Sequence, residues 1–270
     1  MEENEFGVCR LSVVSVRKDP ADQSEQITQL LFGDHYTVIE RSQDSKWTKI
    51  RIHFDQYEGW IDSRQGTPVT PEFFEYLNRT ELKISTDLTS SILFNKHRIL
   101  ILIGSIIPIS GSELFRMEEQ FAFNGEAKSL GIKRDFEFMK SIAEKYLNAP
   151  YLWGGKTPFG IDCSGFTQMI FRISGYALMR DAWQQSTQGK QVATFQDGRP
   201  GDLVFFKNQD EKIHHVGIHF GDGRIIHASG KVRIDTVNAD GIFSVDTGNK
   251  THSFSHLRRV LAEPAHLSAQ

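Results

Sequence analysis

With 270 residues the chain can bury a sizeable core, and its length suggests about two domains. A composition of 39% hydrophobic and 24% charged residues is that of an ordinary globular protein, and a net charge of -3 gives no electrostatic reason to expect nucleic acid or an anionic membrane as a partner. The two cysteines, Cys9 and Cys163, exclude a disulfide framework at this length and fit a reducing compartment.

The chain begins Met1-Glu-Glu-Asn-Glu-Phe, without the basic start and apolar core of a secretory signal. With Met1 as the natural start, the expected location is the cytoplasm. Residues 8–17 are β-rich and roughly alternating, and Asp19-Pro-Ala-Asp makes a turn. Residues 27–31, 36–40, 47–52 and 58–61 follow at short intervals. Short strands with regular turn signals predict a small barrel. The order of a Val-Arg strand, Gln-Leu-Leu-Phe-Gly-Asp, Trp-Thr-Lys-Ile and Tyr-Glu-Gly-Trp-Ile also resembles a bacterial SH3 (SH3b) domain, placed at residues 1–65.

Pro68 and Pro71 mark a connection. Strand-like runs return from about residue 80 to 128, with turns at Asn95-Lys96, Gly104, Pro108 and Gly125. The most apolar run, residues 99–109, is too short to span a bilayer and reads as one or two buried strands. Residues 66–130 are expected to form a second small β domain, for which another SH3-like barrel is one form. No motif in it maps to a function.

The third domain is placed at residues 131–270. Asp135 can cap a helix whose apolar positions are Phe136, Met139, Ile142, Ala143 and Tyr146, ending at Asn148-Ala-Pro. The stretch 151–166, Tyr-Leu-Trp-Gly-Gly-Lys-Thr-Pro-Phe-Gly-Ile-Asp-Cys-Ser-Gly-Phe, sets Cys163 behind a Gly-rich turn and at the head of a second helix. Phe166, Met169, Ile170 and Ile173 give that helix one apolar stripe, and Gly175 stops it. Strands follow at residues 202–206, 216–220 and 224–228. Helices first and an antiparallel sheet after them define an α+β domain.

A thiol ordinarily titrates near pH ~8.5. The N-terminus of a helix and a neighbouring imidazolium both favour the thiolate, and the helix-start N–H of Cys163 or Ser164 can face a developing oxyanion. Gly154, Gly155 and Gly160 allow close approach of backbone to a substrate. Alone, a cysteine at a helix start is more often a buried structural residue. His215, in His-Val-Gly-Ile, and His227, in Ile-Ile-His-Ala-Ser, change that balance, because a thiol with an imidazole in reach is the minimal kit for acyl transfer.

Gly221-Asp222-Gly223 reads as the turn of a hairpin. If these three residues form the loop, Phe220 pairs with Arg224 and Gly217 with His227, so His215 and His227 share one face as diagonal neighbours. A two-residue loop would shift the register and part them. One imidazole would be the base and the other its orienter; the pairing alone does not say which, and we assign His215 as base. His214 points to the opposite face. His219 shares the face with His215, so a zinc site from His215, His219 and His227 is a rival reading, though it leaves Cys163 unexplained. A further alternative is histidines that are merely polar residues on a half-buried sheet.

Tyr-Leu-Trp-Gly-Gly, Asp-Cys-Ser-Gly-Phe, Pro-Gly-Asp-Leu-Val-Phe-Phe, His-Val-Gly-Ile and Ile-His-Ala-Ser occur in that order over residues 133–262. This series resembles the NlpC/P60 family of cysteine peptidases. The resemblance implies a papain-like α+β fold, cleavage of peptidoglycan peptides, Cys163 as nucleophile, His215 as base and His227 as third polar residue. No metal or organic cofactor is implied. With the SH3b domain in front, the chain resembles the γ-D-glutamyl-L-diamino acid endopeptidases of the dipeptidyl-peptidase VI type, which act on peptides with a free N-terminal L-alanine. That likeness implies that Tyr57 and Asp162, with Glu25 as a third member, bind the substrate ammonium, and that Tyr151, Trp153 and Ser164 line the dipeptide pocket. Asp162 can equally cap the Cys163 helix, where it would raise the thiol pKa and call for an offsetting cation. The expected partner is a wall-derived muropeptide, and the expected task its recycling. The alternatives are an exported wall hydrolase, an amidase or acyltransferase, and a wall-binding protein without activity.

Overall fold

The computed structural model describes residues 5–94, 96–107 and 121–261. Met1 and the turn positions Asn95 and Pro108 lie outside the described residues, as do residues 262–270. Seven short strands, Phe6–Val8, Val13–Arg17, Gln26–Leu31, His35–Arg41, Trp47–Ile52, Glu58–Asp62 and Thr67–Val69, form one antiparallel sheet. Alternation turns Val14, Val16, Leu30, Ile50, Ile52 and Ile61 inward around Cys9, which makes the small barrel. Burial pushes the Cys9 thiol up to about 12, so it is an inert core residue.

Pro71 opens a helix where the sequence suggested only a connection. Helix α1 (Pro71–Arg79) has proline in its first turn, and Thr70 Oγ1 accepts the Phe73 N–H at 3.2 Å. Two three-stranded sheets follow, and the apolar run supplies His97–Leu102 and Ile106–Ile107 on either side of Gly104. The interior of this segment is shared with its neighbours. Leu82, Ile84, Ile103 and Ile106 join the largest core cluster, and Ile92, Ile101 and Ile107 pack on Phe32 of the barrel.

Helix α2 (Phe136–Lys145) starts as expected, with Asp135 Oδ1 accepting the Phe138 N–H at 3.1 Å. Helix α3 (Cys163–Ile173) and the short α4 (Ala182–Gln185) follow. They pack on a second seven-stranded sheet whose spatial order is Lys190–Val192, Lys250–Arg259, Leu203–Lys207, Ile213–Gly221, Arg224–Ser229, Lys231–Asn238 and Gly241–Phe243. The last strand also pairs with Lys250–Arg259, so the sheet curls onto itself. Among the described residues no helix is long and apolar enough to cross a membrane.

Helix α3 departs from the single apolar stripe expected of it, for all 11 of its residues are buried. Its polar face meets the barrel instead of water. Arg172 forms a buried ion pair with Asp34 and lies 4.5 Å from the Phe54 ring centroid, and Gln168 Nε2 donates to Asp55 Oδ2 at 2.9 Å. Lys156 is buried beside the same carboxylates, and burial lowers its ammonium to about 8 against the pull of Asp34 and Asp55. Buried charges thus join barrel and helix, with Arg172 and Gln168 each paired across the joint.

Candidate active site

The turn that delivers Cys163 is built against the barrel. Gly154 has φ +73° and a Cβ there would sit 2.4 Å from the Gln26 carbonyl oxygen, so only glycine fits. Gln26 Nε2 donates to the Trp153 carbonyl at 3.2 Å, and Gln29 Oε1 accepts the Lys156 N–H at 2.8 Å. Asp162 then caps α3, accepting the Gly165 N–H at 2.6 Å. Cys163 comes first in the helix, at the wall of a cavity of about 850 Å³, in the size range of small-ligand pockets.

Burial and the nearby Asp162 push the Cys163 thiol up to about 12, while the N–H of Val216, the Arg180 guanidinium and the N–H of Ser164 pull the other way. The expectation that the helix start depresses this thiol is therefore not met: desolvation outweighs the helix N-terminus. Burial, with His227, His252 and His214 around it, holds His215 well below the ordinary imidazole value. Both shifts favour a neutral thiol and a neutral imidazole.

His215 and His227 meet on one face. His215 Nε2 lies 2.8 Å from His227 Nδ1, with the rings edge to face. The hairpin reaches this register differently from the sequence expectation. Gly221 pairs with Arg224 around a two-residue Asp222-Gly223 turn with both residues at positive φ, and a bulge between His219 and Gly221 restores the pairing of Ile218 with Ile226. Gly217 has room for its neighbour only because it lacks a side chain, since a Cβ there would approach the His227 Cβ to 2.9 Å. His219 turns away to Phe195 and does not line the cavity. Among the described residues no group of three His, Cys, Asp or Glu side chains is arranged to hold a metal ion. His214 is exposed, but it stands at the cavity rim, stacked on His252.

The same cavity is lined by Tyr57 and Glu25 of the barrel and by Tyr151, Trp153, Asp162 and Ser164. The structure places the carboxylates differently from the sequence expectation. The oxygens of Asp162 are engaged by the Gly165 N–H, by the Gly154 N–H at 2.7 Å and by both terminal nitrogens of the buried Arg180. Arg180 is the offsetting cation that a carboxylate beside the thiol requires. It also donates to Ser164 Oγ at 2.9 Å and, through Nε, to Thr28 Oγ1 of the barrel at 2.9 Å. The Tyr57 hydroxyl donates instead to Asp181, at 3.0 and 3.1 Å to its two oxygens. Burial raises Asp181 above the ordinary carboxylate value, against the pull of Tyr57, Arg180 and Trp183, which makes this carboxylate a receptive place for a cation. Glu25 accepts the Trp153 indole N–H at 2.7 Å and pairs with Lys18 at 3.6 Å.

Sequence reasoning missed Arg180, Asp181, His252 and Asp235. The Arg-Asp pair ahead of a short helix was the one available signal; His252 and Asp235 sit in ordinary alternating strands. His252 stacks on His215 with ring centroids 4.1 Å apart, and Asp235 Oδ2 lies 3.0 Å from His227 Nε2.

A thiol and an imidazole at the wall of one cavity, with a second histidine and a carboxylate in line behind, are the groups that cysteine acyl-transfer chemistry uses. Residues 148–249 match the NlpC/P60 family, and residues 16–65 match the bacterial dipeptidyl-peptidase Sh3 domain. The chain therefore carries an NlpC/P60 domain behind a bacterial SH3 domain. Among its relatives, a gamma-D-glutamyl-L-lysine dipeptidyl-peptidase of Bacillus cereus is 29% identical over 255 residues, covering 83% of this chain and 74% of the relative. The protein of the same name from Bacillus subtilis is 28% identical over 220 residues, covering 74% and 71%. The fold is shared with the crystal structure of an NlpC/P60 family protein from Bacillus cereus, at a TM-score of 0.79 and 22% identity over 95% of this chain and 100% of that one.

Proposed function

We propose that this peptidase cleaves the bond between γ-D-glutamate and the diamino acid in wall-derived peptides that begin with a free L-alanine, and that it does so in the cytoplasm, in recycling such peptides. The observation that carries this reading is the contact of Tyr57 with Asp181 in the wall of the cavity that also holds Cys163: a barrel hydroxyl meets a half-buried carboxylate suited to an ammonium group. A peptide whose amine sits at Asp181 lies in the same cavity as Cys163. The names of the relatives agree with such a substrate.

In this reading the Cys163 proton passes to His215 as sulfur attacks the γ-glutamyl carbonyl, and the N–H groups at the head of α3 face the oxyanion. The C–N bond then breaks, and His215 returns the proton to the leaving amine. Water attacks the thioester, giving a proton to His215 while the C–O bond forms and the C–S bond breaks, and the thiol is restored. The neutral resting pair means that proton transfer accompanies attack. The test is cleavage of L-Ala-γ-D-Glu-diaminopimelate, with and without an N-acetyl cap, followed by mass spectrometry. The expected result is efficient cleavage of the uncapped peptide alone; equal rates on both would overturn the amine-site reading.

A further inference from the structure

We propose that Asp235 is a positioning residue that sets the tautomers of both histidines, so that His215 presents an unprotonated Nδ1 to Cys163. This rests on the reading of Cys163 and His215 as nucleophile and base. Asp235 stands on the strand Lys231–Asn238, beside the strand that carries His227, and is buried. One oxygen meets His227 Nε2 at 3.0 Å. The other accepts the Val245 N–H at 3.0 Å and the Arg233 guanidinium at 2.9 Å. Arg233 is itself held by Asp246 at 2.7 Å.

Burial works against ionisation of Asp235, but the hydrogen bonds from His227, Val245 and Arg233 outweigh it and hold the carboxyl at about 2. An ionised carboxylate can only accept, so the hydrogen between it and His227 belongs to Nε2. In the neutral ring Nδ1 is then a lone pair. The 2.8 Å contact makes His215 Nε2 the donor to it, and Nδ1 is the one ring nitrogen of His215 left for the thiol, with its lone pair available. The donors run one way, from His215 through His227 to Asp235. Once His215 has taken the thiol proton, its Nε2–H points into a row that ends in negative charge. Asp235 orients and stabilises without itself taking a proton. The other ionisable neighbours of the row, His252 stacked on His215 and His214 beyond it, lie toward the cavity and do not touch Asp235.

An amide at position 235 can donate where the carboxylate accepts, which would invert the row and aim an N–H of His215 at sulfur. Asp235→Asn should lower kcat by about 100-fold or more with KM nearly unchanged. Lys231→Gln, on the same strand but paired with Asn148, keeps the whole row and should stay within about threefold of the parent. The direct readout is the 15N spectrum of histidine-labelled native protein, with ring nitrogens assigned by His215→Gln and His227→Gln variants. Nε2–H tautomers at both rings are expected. An Nδ1–H tautomer at His215, a cationic His227, or an Asp235→Asn protein with native kcat would each overturn the proposal, as would a drop in kcat with native tautomers retained. If Asp235→Asn does not fold, the native spectrum decides alone. Cleavage that survives in Cys163→Ala would instead sink the nucleophile reading, whatever the tautomers prove to be.

Discussion

The two ends of the cleft are built on different principles. At the reactive end every group comes from one domain. Cys163 heads α3, and His215, His227 and Asp235 sit on three neighbouring strands whose ladder sets their spacing. Around Asp181 the groups come from two domains, Tyr57 and Glu25 from the barrel, Asp181 and Trp153 from the peptidase domain, and part of the surface is open to water, with Trp153 61% exposed. In the proposed reading, bond-breaking chemistry is placed where a hydrogen-bonded ladder sets the spacing of the groups, and selection is placed across a joint, where it depends on how two folded units dock. The charges buried along α3 connect the two ends, because they fix the barrel to the helix that carries Cys163.

That contrast can be broken in a graded series. The largest effect is expected from Cys163→Ala, which should abolish cleavage by a factor of about 10⁴ or more while peptide binding, followed by calorimetry, persists. Next come Asp181→Asn and Tyr57→Phe. Either should raise KM for the uncapped peptide by about tenfold or more and leave kcat within a few-fold, because the ammonium lies away from the scissile bond. Equal loss on capped and uncapped peptides would mean that Asp181 and Tyr57 do not select by the amine. At the joint, Asp34→Ala leaves Arg172 buried without its carboxylate and should lower stability by about 3–5 kcal/mol in denaturant titrations. A loss below about 1 kcal/mol would show that the barrel docks without this pair.

The smallest effects concern pH. Burial lowers His215, His35, His53, His219 and His256 in the folded chain, and holds His252 at about 4. The unfolded chain takes up these protons near pH ~6.5 and the folded chain only below that, so their contribution is complete above about 6.5 and is lost as pH falls toward 4. Melting temperature should therefore drop between pH 7 and pH 4.5, and His252→Asn should flatten the drop. The acid limb of kcat/KM should fall below pH ~6.5, since His215 must be unprotonated to act as base. An acid limb at or above that value would mean that the negative charge of Asp235, acting through His227, outweighs burial at His215.

Much of the reactive end was legible because its signals are local. Asp135 and Asp162 are helix-start residues, the Gly-rich turn precedes Cys163, and strand alternation put His215 and His227 on one face. Even there the turn was misjudged, since a bulge does not announce itself in a Gly-Asp-Gly string. The surroundings of Asp181 were less legible. Asp162, adjacent to the nucleophile, looked like the amine carboxylate, yet Arg180 and two backbone N–H groups already occupy it, and Tyr57 turns to Asp181, 124 residues away along the chain. Helix α1 was hidden because Pro71 reads equally as a break or as a first helical residue.

Periodicity, capping residues and the ordered motifs, all short-range properties of the chain, were enough to establish a β-barrel ahead of an α+β domain with a cysteine and two histidines brought together. Which carboxylate faces which partner was decided only in three dimensions. Charged side chains have no periodicity of their own, and once removed from water each takes whatever opposite charge or donor the packing brings within about 3 Å.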